Sequence, residues 1–286
     1  MQESILTAVF LPLALAFIML GMGLSLSIKD FKNIVLFPKA GILGLVNQLI
    51  LLPLFGFALV KLFGLTGALA VGVMILAACP GGATSNLITH LSRGDIALSI
   101  SLTAVTSFIT IITIPLIVNF AIVHFGEEGS IMLPVGETII QIMGVTVIPV
   151  SFGMFLKKRF PGLSQKADRP VRIASAVFFT LIIFAAILKE RESIVAFFIL
   201  TGPVMLSLNI LTLVVGYFLA TAFVLPKRQR LTISIESGIQ NGTLGILIAA
   251  TLLKNSEMTI PIAIYSLIMF MTATLVIFLA NKKSRT

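Results

Sequence analysis

The chain alternates between long apolar runs and short polar segments. A helix needs about 20 apolar residues to cross a bilayer, and nine runs approach or exceed that length. The nine predicted membrane spans are 4–27, 40–62, 67–90, 96–121, 131–156, 172–189, 194–224, 231–253 and 258–280. The runs are continuous rather than alternating, so the pattern favours helices over membrane-spanning strands. It predicts an all-α polytopic membrane protein.

Composition excludes several other classes of protein. Hydrophobic residues make up 58% of the 286 positions, charged residues only 11%, and the mean hydropathy is +1.12. A soluble domain carries about 25% charged residues and has no place for so much apolar surface. We therefore exclude a soluble enzyme and a disordered chain. The basic residues behind the net charge of +9 lie in short loops, so no nucleic-acid partner is expected. The expected partner is the lipid bilayer.

The basic residues orient the predicted spans. With nine spans, 16 of the 20 Lys and Arg residues fall on one side, and only Lys61, Lys189, Arg191 and Lys254 fall on the other. Basic loops stay in the cytoplasm, so the N-terminus is expected outside and the C-terminus inside, in the cell (inner) membrane. Gln2 and Glu3 stand where a signal peptide has basic residues, so the first run is read as a span.

Two spans carry helix-breaking motifs in polar surroundings. The third contains CPGGATSN at 79–86, and the eighth contains ESGIQNGT at 236–243. Spans five positions apart run in opposite directions, so matching spans 1–4 with 6–9 predicts an inverted repeat with span 5 unpaired. The predicted halves are 1–130, with broken span 67–90, and 131–286, with broken span 231–253. Interrupted helices in corresponding places indicate the binding site of a transporter.

The first motif frees backbone groups within the membrane. Pro80 removes an N–H group, and the two glycines after it loosen the chain. Freed groups cannot face lipid, so they must line a cavity or bind a ligand. The N-terminus of the resumed helix, with the polar residues 84–86, suits an anion. The alternative is a simple proline kink that serine and threonine side chains repair.

The second motif carries a carboxylate, because Glu236 is the one acidic residue near the middle of any span. A charge at that depth costs at least about 2.5 kcal/mol. No Lys or Arg lies at comparable depth, so Glu236 is either protonated or beside a bound cation. Gln240 lies one turn on, while Gly238 and Gly242 allow the backbone to offer carbonyls. These oxygens suit a hard cation, with Na⁺ or H⁺ as the candidates.

Other polar residues lie in neighbouring spans. Asn47 and Gln48 are adjacent in span 2, and Ser99 and Thr103 lie one turn apart in span 4. Such side chains also join membrane helices without binding a ligand. Cys79 is the single cysteine, and the two histidines lie at span ends without metal-site spacing. No catalytic residue is predicted.

Four motifs together resemble the bile acid:sodium symporter family. They are GMGLSL followed by Asp30–Phe31, then CPGGATSN, SRGDIALS and ESGIQN. The resemblance covers nearly the whole chain. It implies the nine-helix form of the family fold, with panel and core domains interleaved across both halves and two crossed broken helices in the core.

The resemblance also implies site residues, with two sodium ions and no other cofactor. The first sodium site would use Ser85, Asn86, Ser99, Thr103 and Glu236. The second would use Gln48, Glu236 and Gln240 with the carbonyls of Ser237 and Ile239. Substrate would lie against Ala83, Thr84 and Asn241, which face the helix crossing.

The expected function is sodium-coupled symport of an organic monoanion, such as a bile acid or a small pantoate-like carboxylate, by alternating access. A proton-coupled carrier is the first alternative. A metalloid exporter, which would rely on the thiol of Cys79, and a membrane receptor, channel or intramembrane enzyme are the others. The sequence leaves the substrate and the oligomeric state open.

Overall fold

The computed structural model describes residues 9–127, 129, 131–189 and 194–282, and over these residues it is helical. The α-helices are α1 (Leu11–Ser25), α2 (Ile28–Leu36), α3 (Pro38–Val46), α4 (Leu52–Leu62), α5 (Gly67–Ala78), α6 (Ala83–Leu91), α7 (Ile96–Phe125), α8 (Val135–Val145), α9 (Val147–Arg159), α10 (Pro161–Lys189), α11 (Ile194–Ala222), α12 (Lys227–Gly238), α13 (Gly242–Leu247) and α14 (Thr259–Lys282).

Among the described residues, five helical segments are long and apolar enough to cross a membrane. They are Pro38–Leu62, Ile96–Phe125, Val135–Arg159, Val195–Ala222 and Thr259–Lys282. This confirms the all-helical, multi-pass class. The count of nine spans, the inverted repeat and the panel and core domains stay predictions.

Several predicted boundaries differ from the helices. Predicted span 172–189 is the apolar end of α10, which begins at Pro161, because hydropathy does not detect the polar turns of a helix that continues beyond the bilayer. Predicted span 131–156 is two helices, α8 and α9, which meet at Thr146. The start of the predicted first span lies outside the described residues.

Helix α2 lies in a segment that hydropathy assigns to a loop. It alternates charged and apolar residues, and the Asp30 carboxylate accepts hydrogen bonds from the backbone N–H and the hydroxyl of Ser27 at 2.6 and 2.7 Å. The Phe31 ring packs edge-on against Phe108 of α7, with ring centroids 5.5 Å apart. An amphipathic helix of this kind is too polar to span the bilayer and suits its surface.

Two π-helical segments interrupt the α-helical hydrogen-bond pattern near the broken helices. One, Asn47–Leu51, joins α3 to α4, and the other, Ile248–Leu252, follows α13. A π-turn inserts a residue and so shifts the side chains on either side of it around the helix axis, and such turns are frequent at functional sites. The first one includes the adjacent polar pair Asn47 and Gln48, both buried.

The helices pack in two groups. In one, α1 lies against α9 and α10. Helices α1 and α9 are so close that a Cβ on Gly23 would meet the Val150 carbonyl oxygen, and a Cβ on Gly153 would meet the Leu20 carbonyl oxygen. In the other, α11 contacts α12 and α14, and α5 contacts α7. The second group holds both broken helices and the fully buried Tyr265.

Candidate cation and substrate site at the two broken helices

The first break separates α5 from α6. Helix α5 ends at Ala78, Cys79 is extended, and α6 begins after Gly82, whose backbone is also extended. Proline at position 80 cannot continue the helix, which explains where α5 stops. The break therefore lies where the sequence predicts it.

The second break separates α12 from α13. Helix α12 ends at Gly238, Ile239 is extended, and the side-chain oxygen of Asn241 caps α13 by accepting the N–H of Leu244 at 3.1 Å. Asparagine is a strong N-cap residue, so the new helix begins at the next residue, Gly242.

The extended segments of the two breaks bind each other. Gly81 and Gln240 form an antiparallel bridge, and the N–H of Asn241 donates to the Pro80 carbonyl at 2.9 Å. A longer bond of 3.4 Å joins the N–H of Gly82 to the carbonyl of Ile239. Unpaired backbone groups are costly in an apolar interior. This pairing satisfies some of the N–H and C=O groups that each break leaves without a helical partner. The broken helices are thus held together at their breaks.

A buried carboxylate lies beside this junction. Glu236 is only 4% exposed, and its two oxygens accept hydrogen bonds from Ser99 at 2.5 Å and from Thr103 at 2.8 Å. Within the part of the chain that the structure describes, no basic side chain forms an ion pair with it. The carboxylate is therefore satisfied by neutral hydroxyl groups and not by a counter-charge.

Ser85 and Asn86, in the first turn of α6, complete this group of oxygens. The Ser85 hydroxyl donates to the Gly82 carbonyl at 2.7 Å and lies 3.3 Å from the hydroxyl of Thr103. The side-chain oxygen of Asn86 lies 2.8 Å from the Ser99 hydroxyl, whose single proton can go either to Asn86 or to Glu236. All five residues expected at the first cation site are thus linked by hydrogen bonds or by shared partners.

A second group of oxygens lies on the other side of the Glu236 backbone. The amide of Gln48 faces the amide of Gln240, with 2.6 Å between the nearest atoms, and Gln240 also donates to the carbonyl of Ser237 at 2.7 Å. When the Gln48 nitrogen is placed toward the Glu236 carbonyl, 2.9 Å away, its oxygen accepts the N–H of Gly81 at 3.1 Å. Amide and carbonyl oxygens thus converge on the break.

Two residues depart from the predicted arrangement of this second group. The carbonyl of Ile239 points to the N–H of Gly82 in the other broken helix. Asn47 was not among the predicted ligands, but its amide nitrogen donates to the Ser237 hydroxyl while its side-chain oxygen is buried without a partner. Its position next to Gln48 in the sequence was the available signal.

A small cavity lies next to the junction, between the two helix groups. Its walls include Met19 of α1, Thr146, Ser107 of α7, and Pro80 and Asn241 from the two breaks. Asn241 therefore lines a cavity, and its role in substrate binding stays a prediction. Ala83 and Thr84 are half-buried at the start of α6 and do not line this cavity.

A larger cavity of about 410 Å³ lies toward the far ends of α8 and α13. Its polar lining residues are Glu137, Thr138, Gln141, Thr251 and Lys254. Leu247 and Val145 line it, whereas Leu244 and Val147 line the small cavity. The two cavities thus follow each other along α13, with apolar side chains between them, and the larger has the volume of a small-molecule site.

Comparison with known proteins identifies the fold family. Residues 12–197, more than half of the chain, match the model of the sodium bile acid symporter family. The chain belongs to this family. Its members are transporters, so this family member is a multi-pass membrane transporter and not an enzyme. The resemblance seen in the sequence motifs is confirmed, and the intramembrane-enzyme alternative is wrong.

Relatives in the sodium bile acid symporter family come from bacteria, animals and plants. The uncharacterized sodium-dependent transporter YocS of Bacillus subtilis (strain 168) is 29% identical over 257 residues, 90% of this chain and 78% of YocS. The ileal sodium/bile acid cotransporter of Homo sapiens is 30% identical over 83% of this chain and 68% of its own. The probable sodium/metabolite cotransporter BASS1, chloroplastic, of Oryza sativa subsp. japonica is 29% identical over 88% of this chain, which spans only 61% of that relative.

Proposed function

We propose that this transporter is a symporter that couples the entry of an organic monoanion to sodium. The observation that carries the proposal is the environment of Glu236, a buried carboxylate surrounded by neutral oxygens and without a basic partner. A hard cation binds through such oxygens and would supply the missing positive charge. The donor set therefore fits Na⁺.

The first proposed sodium site consists of side chains from three elements. Ser85 and Asn86 come from α6, Ser99 and Thr103 from α7, and Glu236 from α12. These side chains share hydrogen bonds, so a cation among them would replace contacts between oxygens with contacts to the ion. Binding here would connect the two broken helices to α7.

The second proposed site is built from backbone carbonyls and amides. Gln48 and Gln240 face each other, and Gln240 lies on the carbonyl of Ser237. The carbonyl of Ile239 would turn from Gly82 toward this site, and Glu236 would contribute to both sites. The buried, unpartnered oxygen of Asn47, close to Ser237, adds one more acceptor beside this group.

The substrate anion would bind where the two helices resume. Helices α6 and α13 both begin at the junction, and helix N-termini carry partial positive charge. Asn241 already lines the adjacent cavity, and Ala83 and Thr84 provide the first N–H groups of α6. A bound cation neutralises Glu236, so the anion binds better, and by linkage the anion must then strengthen cation binding equally.

Two sodium ions with one monoanion would move one net positive charge inward. Each elementary charge is worth about 2.3 kcal/mol per 100 mV of membrane potential. Alternating access would come from movement of the group that holds α1, α9 and α10 against the group that holds the broken helices. In this proposal those groups are the panel and core domains of a nine-span inverted repeat, with an outside N-terminus in the cell membrane.

The substrate class is a bile acid or a small carboxylate. The human relative is named for bile acid and the rice relative for metabolites, so relatives at similar identity differ in substrate. The cavity at the junction is small and largely apolar, with Ser107, Thr146 and Asn241 as its polar residues. These polar groups suit the charged end of an organic acid, but the cavity has a volume of only about 10 Å³ and would have to open to admit one.

Uptake into proteoliposomes tests the proposal. Purified protein is reconstituted, and accumulation of radiolabelled pantoate and taurocholate is measured with an inward gradient of NaCl or of KCl, with and without a valinomycin-set potential. We expect accumulation only with NaCl, and more of it when the interior is negative. Accumulation that needs no Na⁺ and follows an inward proton gradient would replace this proposal with the proton-coupled alternative.

A further inference from the structure

The carbonyl oxygen of Gly238 is hydrogen-bonded to side chains that do not belong to the proposed cation sites. It lies at the end of α12, two residues after Glu236, where helix carbonyls lose their intrahelical partners. The sequence suggests that glycine here frees a carbonyl for a cation. Instead, this oxygen accepts two hydrogen bonds, from Asn209 of α11 at 2.8 Å and from the hydroxyl of Tyr265 of α14 at 2.9 Å.

Both donors are completely buried. Asn209 and Tyr265 have no exposed surface, and Tyr265 is among the largest fully buried side chains of the protein. A carbonyl has two lone pairs, so two donors saturate it. The remaining side-chain oxygen of Asn209 has no hydrogen-bond partner among the described residues. Neither donor belongs to a predicted cation ligand set.

The arrangement sets the direction of the neighbouring carbonyls. Beyond Gly238 the chain is extended at Ile239, and successive carbonyls of an extended chain point to opposite sides. Fixing the Gly238 carbonyl toward α11 and α14 therefore directs the carbonyl of the extended Ile239 the other way, toward the N–H of Gly82, and it holds the last turn of α12, where the Ser237 carbonyl accepts from Gln240. The side chain of Leu213 packs so closely that no Cβ fits at Gly238.

We propose that Asn209 and Tyr265 are positioning residues of the second cation site, which they shape by anchoring the Gly238 carbonyl. This inference rests on the proposed sodium site. Without the anchor, the peptide after Gly238 is free to rotate, and the last turn of α12, which presents Glu236 and the Ser237 carbonyl to the site, loses its fixed end. The site then holds Na⁺ more weakly and discriminates less well between Na⁺ and Li⁺.

Thermal unfolding in detergent, measured across mixtures of NaCl and KCl at constant ionic strength, tests the inference. Tyr265→Phe removes only the hydroxyl, and we expect the Na⁺ concentration for half-maximal stabilisation to rise about three- to tenfold, the effect of one hydrogen bond. The ratio of the half-maximal concentrations for Li⁺ and Na⁺ should also fall toward one. Tyr217→Phe is the matched control, since Tyr217 is the other tyrosine, half-buried on α11, and it should leave both values unchanged.

Asn209→Leu provides a second variant of similar side-chain volume and should raise the half-maximal Na⁺ concentration in the same direction. If either variant lowers the unfolding temperature equally in NaCl and KCl with an unchanged half-maximal concentration, the residues are merely structural and the inference is wrong. If the wild-type protein shows no Na⁺-specific stabilisation, the sodium site itself fails and this inference fails with it. The wild-type measurement therefore separates the two failures.

Discussion

The two broken helices of this transporter differ in where they carry their polar residues. Helix α5, before the first break, is apolar and almost wholly buried, whereas α6, after it, carries Ser85 and Asn86. The second broken helix has the opposite arrangement, because α12 carries Glu236 and Ser237 in its last turn and α13 is mostly apolar. The polar parts α6 and α12 lie in contact, and so do α5 and α13.

This difference gives the junction two electrostatic faces. Glu236 lies near the C-terminal end of α12, where unpaired carbonyls carry partial negative charge, so the second broken helix attracts a cation. The first contributes hydroxyl and amide ligands from the N-terminal turn of α6, whose partial positive charge opposes the cation and favours an anion. The comparison therefore predicts that the second helix is more important for sodium binding than the first.

Neutralising Glu236 should have the largest effect. Glu236→Gln keeps the shape but removes the charge, so the half-maximal Na⁺ concentration for stabilisation should rise at least about 100-fold, corresponding to some 3 kcal/mol of lost binding. Stability in KCl should be retained or raised, because a buried charge costs at least about 2.5 kcal/mol. The unfolding temperature in NaCl and KCl measures both.

Asp30→Asn is the control for that measurement. It also neutralises a carboxylate, but the new amide oxygen still caps α2, a helix that contributes no residue to either proposed cation site. Its sodium response should match that of the wild-type protein. A Glu236→Gln protein that kept a normal Na⁺ response would contradict the assignment of the cation to the second broken helix.

Alanine substitutions at the adjacent glycines of the first break should have unequal effects on sodium binding. A Cβ on Gly81 would lie 2.9 Å from a Glu236 carboxylate oxygen, so Gly81→Ala must displace the carboxylate. Overpacking of this kind costs about 1–3 kcal/mol, and we expect a rise of about tenfold or more in the half-maximal Na⁺ concentration. Gly82→Ala meets its nearest atom at 3.2 Å and should change that concentration by less than about threefold. Equal effects would show that the break needs glycine only for its flexibility.

The hydroxyl of Thr103 should contribute a smaller part of the free energy of sodium binding. Thr103→Val preserves shape but removes a hydrogen bond of 2.8 Å to the carboxylate and a cation ligand, so the half-maximal Na⁺ concentration should rise about three- to tenfold. Thr106→Val is matched to it, because Thr106 donates only to backbone carbonyls of its own helix. Titrations of both variants that coincide would remove Thr103 from the site.

The sequence indicates the residues of the candidate site better than it indicates the residues that hold them in place. Pro80 and two glycines mark the first break and glycines mark the second, and Glu236 stands out because hydropathy leaves no other acidic residue at that depth. The hydrogen bonds of Asn47 with Ser237, 190 positions apart, and of Tyr265 with Gly238 depend on tertiary packing that no local pattern encodes. Helix α2 and the π-turn at Asn47 were also not predicted, since hydropathy does not detect an amphipathic surface helix or one inserted residue.

The smallest effect is expected for the side chain that precedes the first break. Cys79 is 1% exposed, its sulfur packs close to Gly245, and its contact with the junction is through its backbone carbonyl, 3.3 Å from the Gln48 amide. Cys79→Ala leaves that carbonyl in place, so the half-maximal Na⁺ concentration and sodium-driven uptake should change less than about twofold, with about 1 kcal/mol of stability lost to the cavity. A metalloid exporter would instead need the thiol, and arsenite tolerance of cells that express the variant would fall. Lost tolerance with intact sodium binding would mean that the two broken helices serve different ligands, with the first binding through sulfur and not through oxygen.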